Sequence, residues 1–229
     1  MATPSLLLLL ADGRFPAGAH AHSGGLEAAV AAGRVTDLAS LEAFLAGRLA
    51  TAGLVGAAFA AAAHRASAAE TAARSGALAR LDAELDARTA APALRAVSRR
   101  QGRALLRAGR AIWPDAPFAD LPATPGGTHQ PLVLGLLCAA AGLSRVETAT
   151  IAAYGTLTGA ASAGVRLLGL DPYQVQALLV GLADACDGTA ADAARAADDP
   201  PERLPAAAAP LADIHAEIHA TWEVRLFAS

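Results

Sequence analysis

Alanine and leucine supply nearly all of the apolar surface of this chain, and that choice restricts its fold more than any other property. About 65 of the 229 residues are alanine, and the hydrophobic share reaches 54% although aromatics make up only 4%. Alanine and leucine are among the best helix formers, whereas the β-branched and aromatic residues that favour strands are few. A core of such small side chains requires helices that approach one another closely. Leu38, Leu41, Leu45 and Leu49 repeat at helical spacing, and no alternating strand pattern longer than four residues interrupts the chain. An all-α, single-domain bundle of about eight to ten helices is predicted, with a flexible C-terminal tail.

Local signals divide the chain into elements. Leu6–Leu10 reads as a first short helix stopped by Asp12-Gly13, and residues 14–25 (RFPAGAHAHSGG) form an irregular connector. A short helix from Leu26 to Ala32 ends at Gly33, the residue type that tolerates the left-handed conformation after a helix. Thr36 or Asp37 caps the next helix, and Leu54–Ala69 continues helical. Arg74–Arg88 alternates charges around Leu78, Leu81 and Leu85, the pattern of a solvated amphipathic helix. Pro92 opens a helix carrying six arginines between Arg95 and Arg110. Five prolines between Trp113 and Pro131 predict a long loop, a class usually functional or mobile. Leu132–Ala141 is apolar all round and so belongs inside. Ser144-Arg-Val-Glu147 is a capping box, and Asp171-Pro172 starts a helix expected to run through Leu182 toward Arg195. Four prolines between Asp198 and Pro210 mark a linker. The expected division is therefore a helical domain over 1–197 and a linker with a terminal segment over 198–229.

The chain contains no lysine, so its 18 basic residues are all arginine. That excludes a phosphate-binding loop ending in Gly-Lys-Ser/Thr, a Schiff-base lysine and a Ser-x-x-Lys nucleophile. A net charge of −3 and a pI near 6.0 speak against a nucleic-acid binder. Two cysteines, Cys138 and Cys186, form no disulfide framework and fit a reducing cytoplasm. Leu6–Leu10 is shorter than a secretory apolar region and no basic residue precedes it. The uncharged stretch Thr148–Val165 is long enough to span a bilayer, yet Ala, Thr, Gly and Ser give it little drive to insert.

Histidines are the remaining candidates for chemistry. His215 and His219 lie four apart on a predicted helix and share a face, but the acid in His-Ala-Glu-Ile-His sits one place too late for the zinc-protease motif. His20-Ala-His22 in the glycine-rich connector can bind a transition metal if a third ligand arrives from elsewhere. A small metal-binding protein or metallohydrolase using His20, His22, His215 and His219 is thus the alternative function. His64 and His129 read as structural. No Gly-x-Ser-x-Gly elbow occurs, and the carboxylates Glu27, Asp184 and Asp187 make no recognisable catalytic pair.

Four blocks, in order along essentially the whole chain, carry a family resemblance. The opening Leu8-Leu-Leu-Ala-Asp-Gly-Arg-Phe-Pro-Ala-Gly-Ala-His-Ala-His-Ser-Gly-Gly-Leu-Glu27, followed by Gly33-Arg-Val35, resembles the start of the urease accessory protein UreF, with its Phe-Pro-x-Gly turn and Ser-x-Gly-Leu-Glu helix start. Leu94-Arg95…Ser98…Gly102-Arg103…Leu105-Leu106 resembles the family's central helix, and His129…Gly135…Ala140…Gly142 the next one. The ending His219…Arg225-Leu226-Phe227…Ser229 is similar to the family's His-Glu…Arg-Leu-Phe-x-Ser terminus. Two departures stand out: His20 and His22 occupy positions where the family usually has aromatics, and Ala220 replaces the acid after His219.

The resemblance implies an all-helical, non-enzymatic cytoplasmic chaperone that acts as a homodimer within a larger accessory complex. It implies binding to the accessory protein UreD (also called UreH), recruitment and regulation of the GTPase UreG, and assistance in nickel insertion into apo-urease. No cofactor, nucleic acid or membrane is expected, and nickel is expected only in transit, with His20 and His22 as its candidate contacts. The residues implied to meet partners are Phe15, Pro16, Gly18, His20, His22, Ser23, Glu27, His219, Arg225, Leu226, Phe227 and Ser229. The terminal segment is implied to order on binding UreD.

Overall fold

The structure, a computed structural model, describes residues 4–16 and 18–228. Its elements are α1 (Pro4–Ala11), α2 (Leu26–Ala31), α3 (Leu38–Arg48), α4 (Leu54–Ala66), α5 (Thr71–Arg88), α6 (Pro92–Ile112), α7 (Gln130–Ala140), α8 (Arg145–Leu168), α9 (Pro172–Gly181), α10 (Ala183–Ala196) and α11 (Pro210–Ala220). A π-turn at Leu49–Gly53 joins α3 and α4 into one rod, so the described residues hold ten separate helices and no strand. The predicted caps are in place. Asp37 accepts from the Ser40 amide, Ser144 and Glu147 satisfy each other's backbone amides, and Asp171 accepts from Tyr173 ahead of Pro172. One predicted helix divides in two, since the chain bends at Leu182 between α9 and α10.

α4 occupies the centre, packed against α7, α8 and α10. Ala57, Ala58, Phe59, Ala60, Ala61 and Ala63 are fully buried there. The α3–α4 rod is long and apolar enough to cross a membrane, but burial of its second half makes that half the core helix of the bundle. Small residues set the helix separation. A Cβ on Gly135 of α7 would lie 2.3 Å from the Ala60 carbonyl oxygen and 2.7 Å from the His64 amide nitrogen, so the two backbones touch. A Cβ on Gly102 would stand 2.1 Å from the Thr128 carbonyl, which lets α6 seat against the chain entering α7. Both glycines belong to the blocks quoted above.

α5 is less solvated than its charge pattern predicts. Asp82 is 2% exposed and joins a polar hub with Arg99, Asp86, Ser98 and His129. Arg99 donates to both aspartates, to Thr124 Oγ1 at 2.9 Å and to the Gly127 carbonyl at 2.6 Å, which ties the proline-rich loop to α5. Burial and the Arg99 charge hold His129 below the usual histidine range, so its ring is neutral. In that tautomer Nε2–H donates to Asp86 while Nδ1 accepts from the Ser98 hydroxyl. His64 likewise serves the fold, with Nε2 2.7 Å from the Leu143 carbonyl oxygen.

The 198–210 segment lies on α5, where Arg88 donates to the carbonyls of Pro201, Glu202 and Leu204 and the Leu204 side chain is buried. α11 follows, packed on α6 and α2.

Candidate functional site

The first and last blocks of the sequence meet in space. α2 begins after Gly24 and Gly25, both at positive φ, and the buried Ser23 hydroxyl accepts the Glu27 amide at 3.2 Å. This start turns the Glu27 side chain inward, toward the terminal segment. Its Oε1 accepts the Leu226 amide at 2.8 Å, and its Oε2 accepts the Phe227 amide at 3.0 Å and pairs with His219 Nε2 at 2.9 Å. The Ala228 amide donates to the Ala21 carbonyl at 2.7 Å, which closes the clasp on its other side.

One carboxylate thus serves three donors that lie about 200 residues away along the chain. Burial by itself would raise the pKa of Glu27, but the two amides and His219 outweigh it and hold the carboxyl below the ordinary range. The ring of Phe227 is buried and lies 4.8 Å beneath the Arg166 guanidinium of α8. His219 stacks at a tilt on Trp222, with centroids 4.8 Å apart. The clasp leaves the outer side of the segment apolar: Leu211, Ile214, Ile218, Val224 and Leu226 are all exposed, the first three at helical spacing along one face of α11.

The structure brings Ser23, Glu27, His219, Leu226 and Phe227 of the expected partner-binding set into this one arrangement. Arg225 is exposed at the rim of an adjacent cavity. Phe15 is buried in the core cluster, Pro16 is exposed, and Gly18 turns the connector at φ +74°. Ser229 lies outside the described residues. His20 is exposed and His22 half-buried, and burial, with Arg100 and His20 nearby, pushes His22 down to about 4. Among the described residues no group of three or more His, Cys, Asp or Glu side chains is arranged to hold a metal ion. That leaves the alternative set of His20, His22, His215 and His219 without a chelating geometry, and His219 is already engaged by Glu27. Burial raises the Cys138 thiol to about 12 and raises Cys186 as well, which removes both as nucleophiles.

The chain matches a family model for UreF over residues 35–183. It is 44% identical, over the full length of both chains, to a urease accessory protein UreF of Mycolicibacterium vanbaalenii. It is 46% identical to that of Mycobacterium marinum, again over the full length of both. The Mycobacterium tuberculosis protein of the same name is 46% identical over 84% of this chain and 86% of its own. The chain belongs to the UreF family of urease accessory proteins. The UreF match begins at Val35 and ends at Ala183, so the clasp residues Glu27, His219, Leu226 and Phe227 lie outside it.

Residues the sequence did not single out complete the site. Arg166 covers Phe227 and Trp222 supports His219, yet nothing in their spacing links α8 to the terminus. The one available signal was the isolated arginine closing a long uncharged stretch.

Proposed function

We propose that this protein is a non-catalytic chaperone of urease maturation that binds UreD/UreH, recruits and regulates UreG, and assists nickel insertion into apo-urease. In this reading it works in the cytoplasm as a homodimer within a larger accessory complex, and residues 198–229 are its partner-binding segment. The observation that carries the reading is the Glu27 clasp. It fixes the terminal segment so that Phe227 faces the domain while Leu211, Ile214, Ile218, Val224 and Leu226 face outward. Single exposed apolar residues are common, but five on one ordered segment form the kind of surface that protein partners cover. Nickel enters as cargo, and the exposed His20 and neutral His22 are the donors proposed to meet it.

Deleting residues 211–229 tests the reading. The deletion removes α11 and the tail but none of the helices around α4, so the remaining protein is expected to fold and to lose UreD in co-purification. A truncated protein that folds and still retains UreD overturns the proposal.

A further inference from the structure

We propose that the outward face of α6 is a docking strip for an acidic, amphipathic segment of a protein partner. It goes beyond the function proposed above and rests on that reading only for the existence of protein partners.

α6 carries six arginines and no carboxylate. The structure divides them. Arg99 points inward to Asp82 and Asp86, and Arg95 reaches Asp86 and the carbonyls of Thr89 and Ala90. Arg100, Arg103, Arg107 and Arg110 are exposed. Their spacing of i, i+3, i+7 and i+10 places them within an arc of about 80° and along about 15 Å of helix. Arg103 also donates to the Gly126 carbonyl. Among the described residues none of the four takes part in an ion pair. Like charges at these spacings repel one another, and among the described residues no carboxylate pairs with them.

At the Arg100 end the strip opens into a cavity of about 260 Å³ between α6, α2 and α11. Leu94, Val97 and Ala216 give it apolar walls, while Arg100 and Arg225 both reach its lining. Two carboxylates near this end are already engaged: Glu217 accepts the Ala93 amide at 2.7 Å, and Glu27 is held by His219 and the terminal amides. The complementary occupant has carboxylates along one helical face, each met by a guanidinium fork, and an apolar side chain at one end for the cavity.

The same features favour protein over nucleic acid. The chain is acidic overall, α6 has no aromatic residue on which a base could stack, and the one ring in the cavity lining, His219, is already held by Glu27 and Trp222. The absence of lysine also gives every position of the strip a planar, bidentate donor suited to carboxylates.

The test is fluorescence anisotropy with the full-length protein at low salt. The probe is a labelled helical peptide carrying glutamates at i, i+3, i+7 and i+10 and a leucine one turn before the first. A lysine version of the peptide and a single-stranded oligonucleotide serve as comparisons. The glutamate peptide is expected to bind, with affinity falling as salt rises. Affinity should drop at least about tenfold in R103E/R107E/R110E, fall by less in R103K/R107K/R110K, which keeps the charge and loses the fork, and weaken in A96W, which places a large ring in the cavity lining. Circular dichroism establishes that each variant is folded, and the lysine variant keeps the test decisive if charge reversal disturbs the helix. Failure of the wild type to bind the glutamate peptide, equal binding by the charge-reversed variant, or equally tight binding of the oligonucleotide would each overturn the proposal. UreD co-purification is read separately, so loss of this proposal leaves the truncation result standing.

Discussion

Glu27→Ala removes the acceptor for the Leu226 and Phe227 amides and for His219. Hydrogen bonds to a charged group contribute about 1.5–3 kcal/mol each, but their sum overstates the effect. The terminal segment can leave its seat and hydrate the freed donors, so the loss is limited to the free energy of docking. Burial of the Phe227 side chain adds about 1.5–3 kcal/mol to that docking and survives the substitution in the docked state. A net loss of about 3 kcal/mol is expected, equivalent to roughly a hundredfold shift toward the undocked segment. Native-state hydrogen exchange reads it directly. The amides of Leu226, Phe227 and Ala228 should exchange about a hundredfold faster, whereas those of α4 and α7 should keep their protection. The depressed pKa fixes the pH dependence. The clasp stabilises docking fully above the ordinary glutamate value of 4.5; below it the undocked carboxyl takes its proton first, so the contribution declines progressively and is gone once the docked carboxyl is protonated as well. Unchanged exchange at Leu226 and Phe227 would refute the clasp. Equal acceleration in α4 would show instead that Glu27 supports the whole fold.

Gly135→Ala places a methyl against two backbone atoms of α4 that cannot step aside, the Ala60 oxygen and the His64 nitrogen. The cost is about 1–3 kcal/mol, and calorimetry should show Tm lowered by about 2–10 °C. An unchanged Tm would mean that α7 and α4 have slack between them. His22 should titrate near 4 in an NMR experiment, well below the ordinary histidine value of 6.5. Because the unfolded ring takes up its proton first, the native state loses stability as the pH falls from 6.5 through 4; a midpoint near 6.5 would show the ring to be in water.

Those elements whose cause is local were legible in the sequence. Ser144-Arg-Val-Glu147 and Asp171-Pro172 fix helix starts within a few residues, and Gly33 at φ +66° ends α2 for a steric reason that acts on one residue. The break at Leu182 was not legible. Helical propensity is high on both sides of it, and while both helices touch α8, α10 also packs on α4 and α9 on α3, a tertiary choice that no short pattern records. The candidate site divides the same way. Its residues were found as quoted motifs, but the reason Glu27 belongs with Leu226 and Phe227 is a contact across nearly the whole chain. Asp82 is the clearest case: its neighbours give the pattern of a solvated face, and only the approach of Arg99 and the His129 amide explains its burial.

Arginine is where sequence and structure inform each other most. With no lysine in the chain, charge counting treats all 18 cations alike. A guanidinium presents several donors in one plane, and the fold uses this where a point charge would serve poorly. Arg88 donates to four carbonyls and the Glu84 carboxylate while lying 5.4 Å over the Phe59 ring, and Arg99 satisfies two aspartates, a threonine and a carbonyl. These inward arginines are engaged by their own chain, although Arg88 Nε is buried without a hydrogen-bond partner. Arg100, Arg107 and Arg110 come from the same helix as Arg99 and have the same chemistry, yet they meet no carboxylate. Arg99 and Arg110 stand eleven residues apart and within about 20° of the same direction around α6, so helical phase alone does not divide them. What its surroundings supply decides which arginine holds the fold together: α5 and the proline-rich loop bring Asp82, Asp86, Thr124 and the Gly127 carbonyl to Arg99 and bring no carboxylate to the arginines left available to a partner.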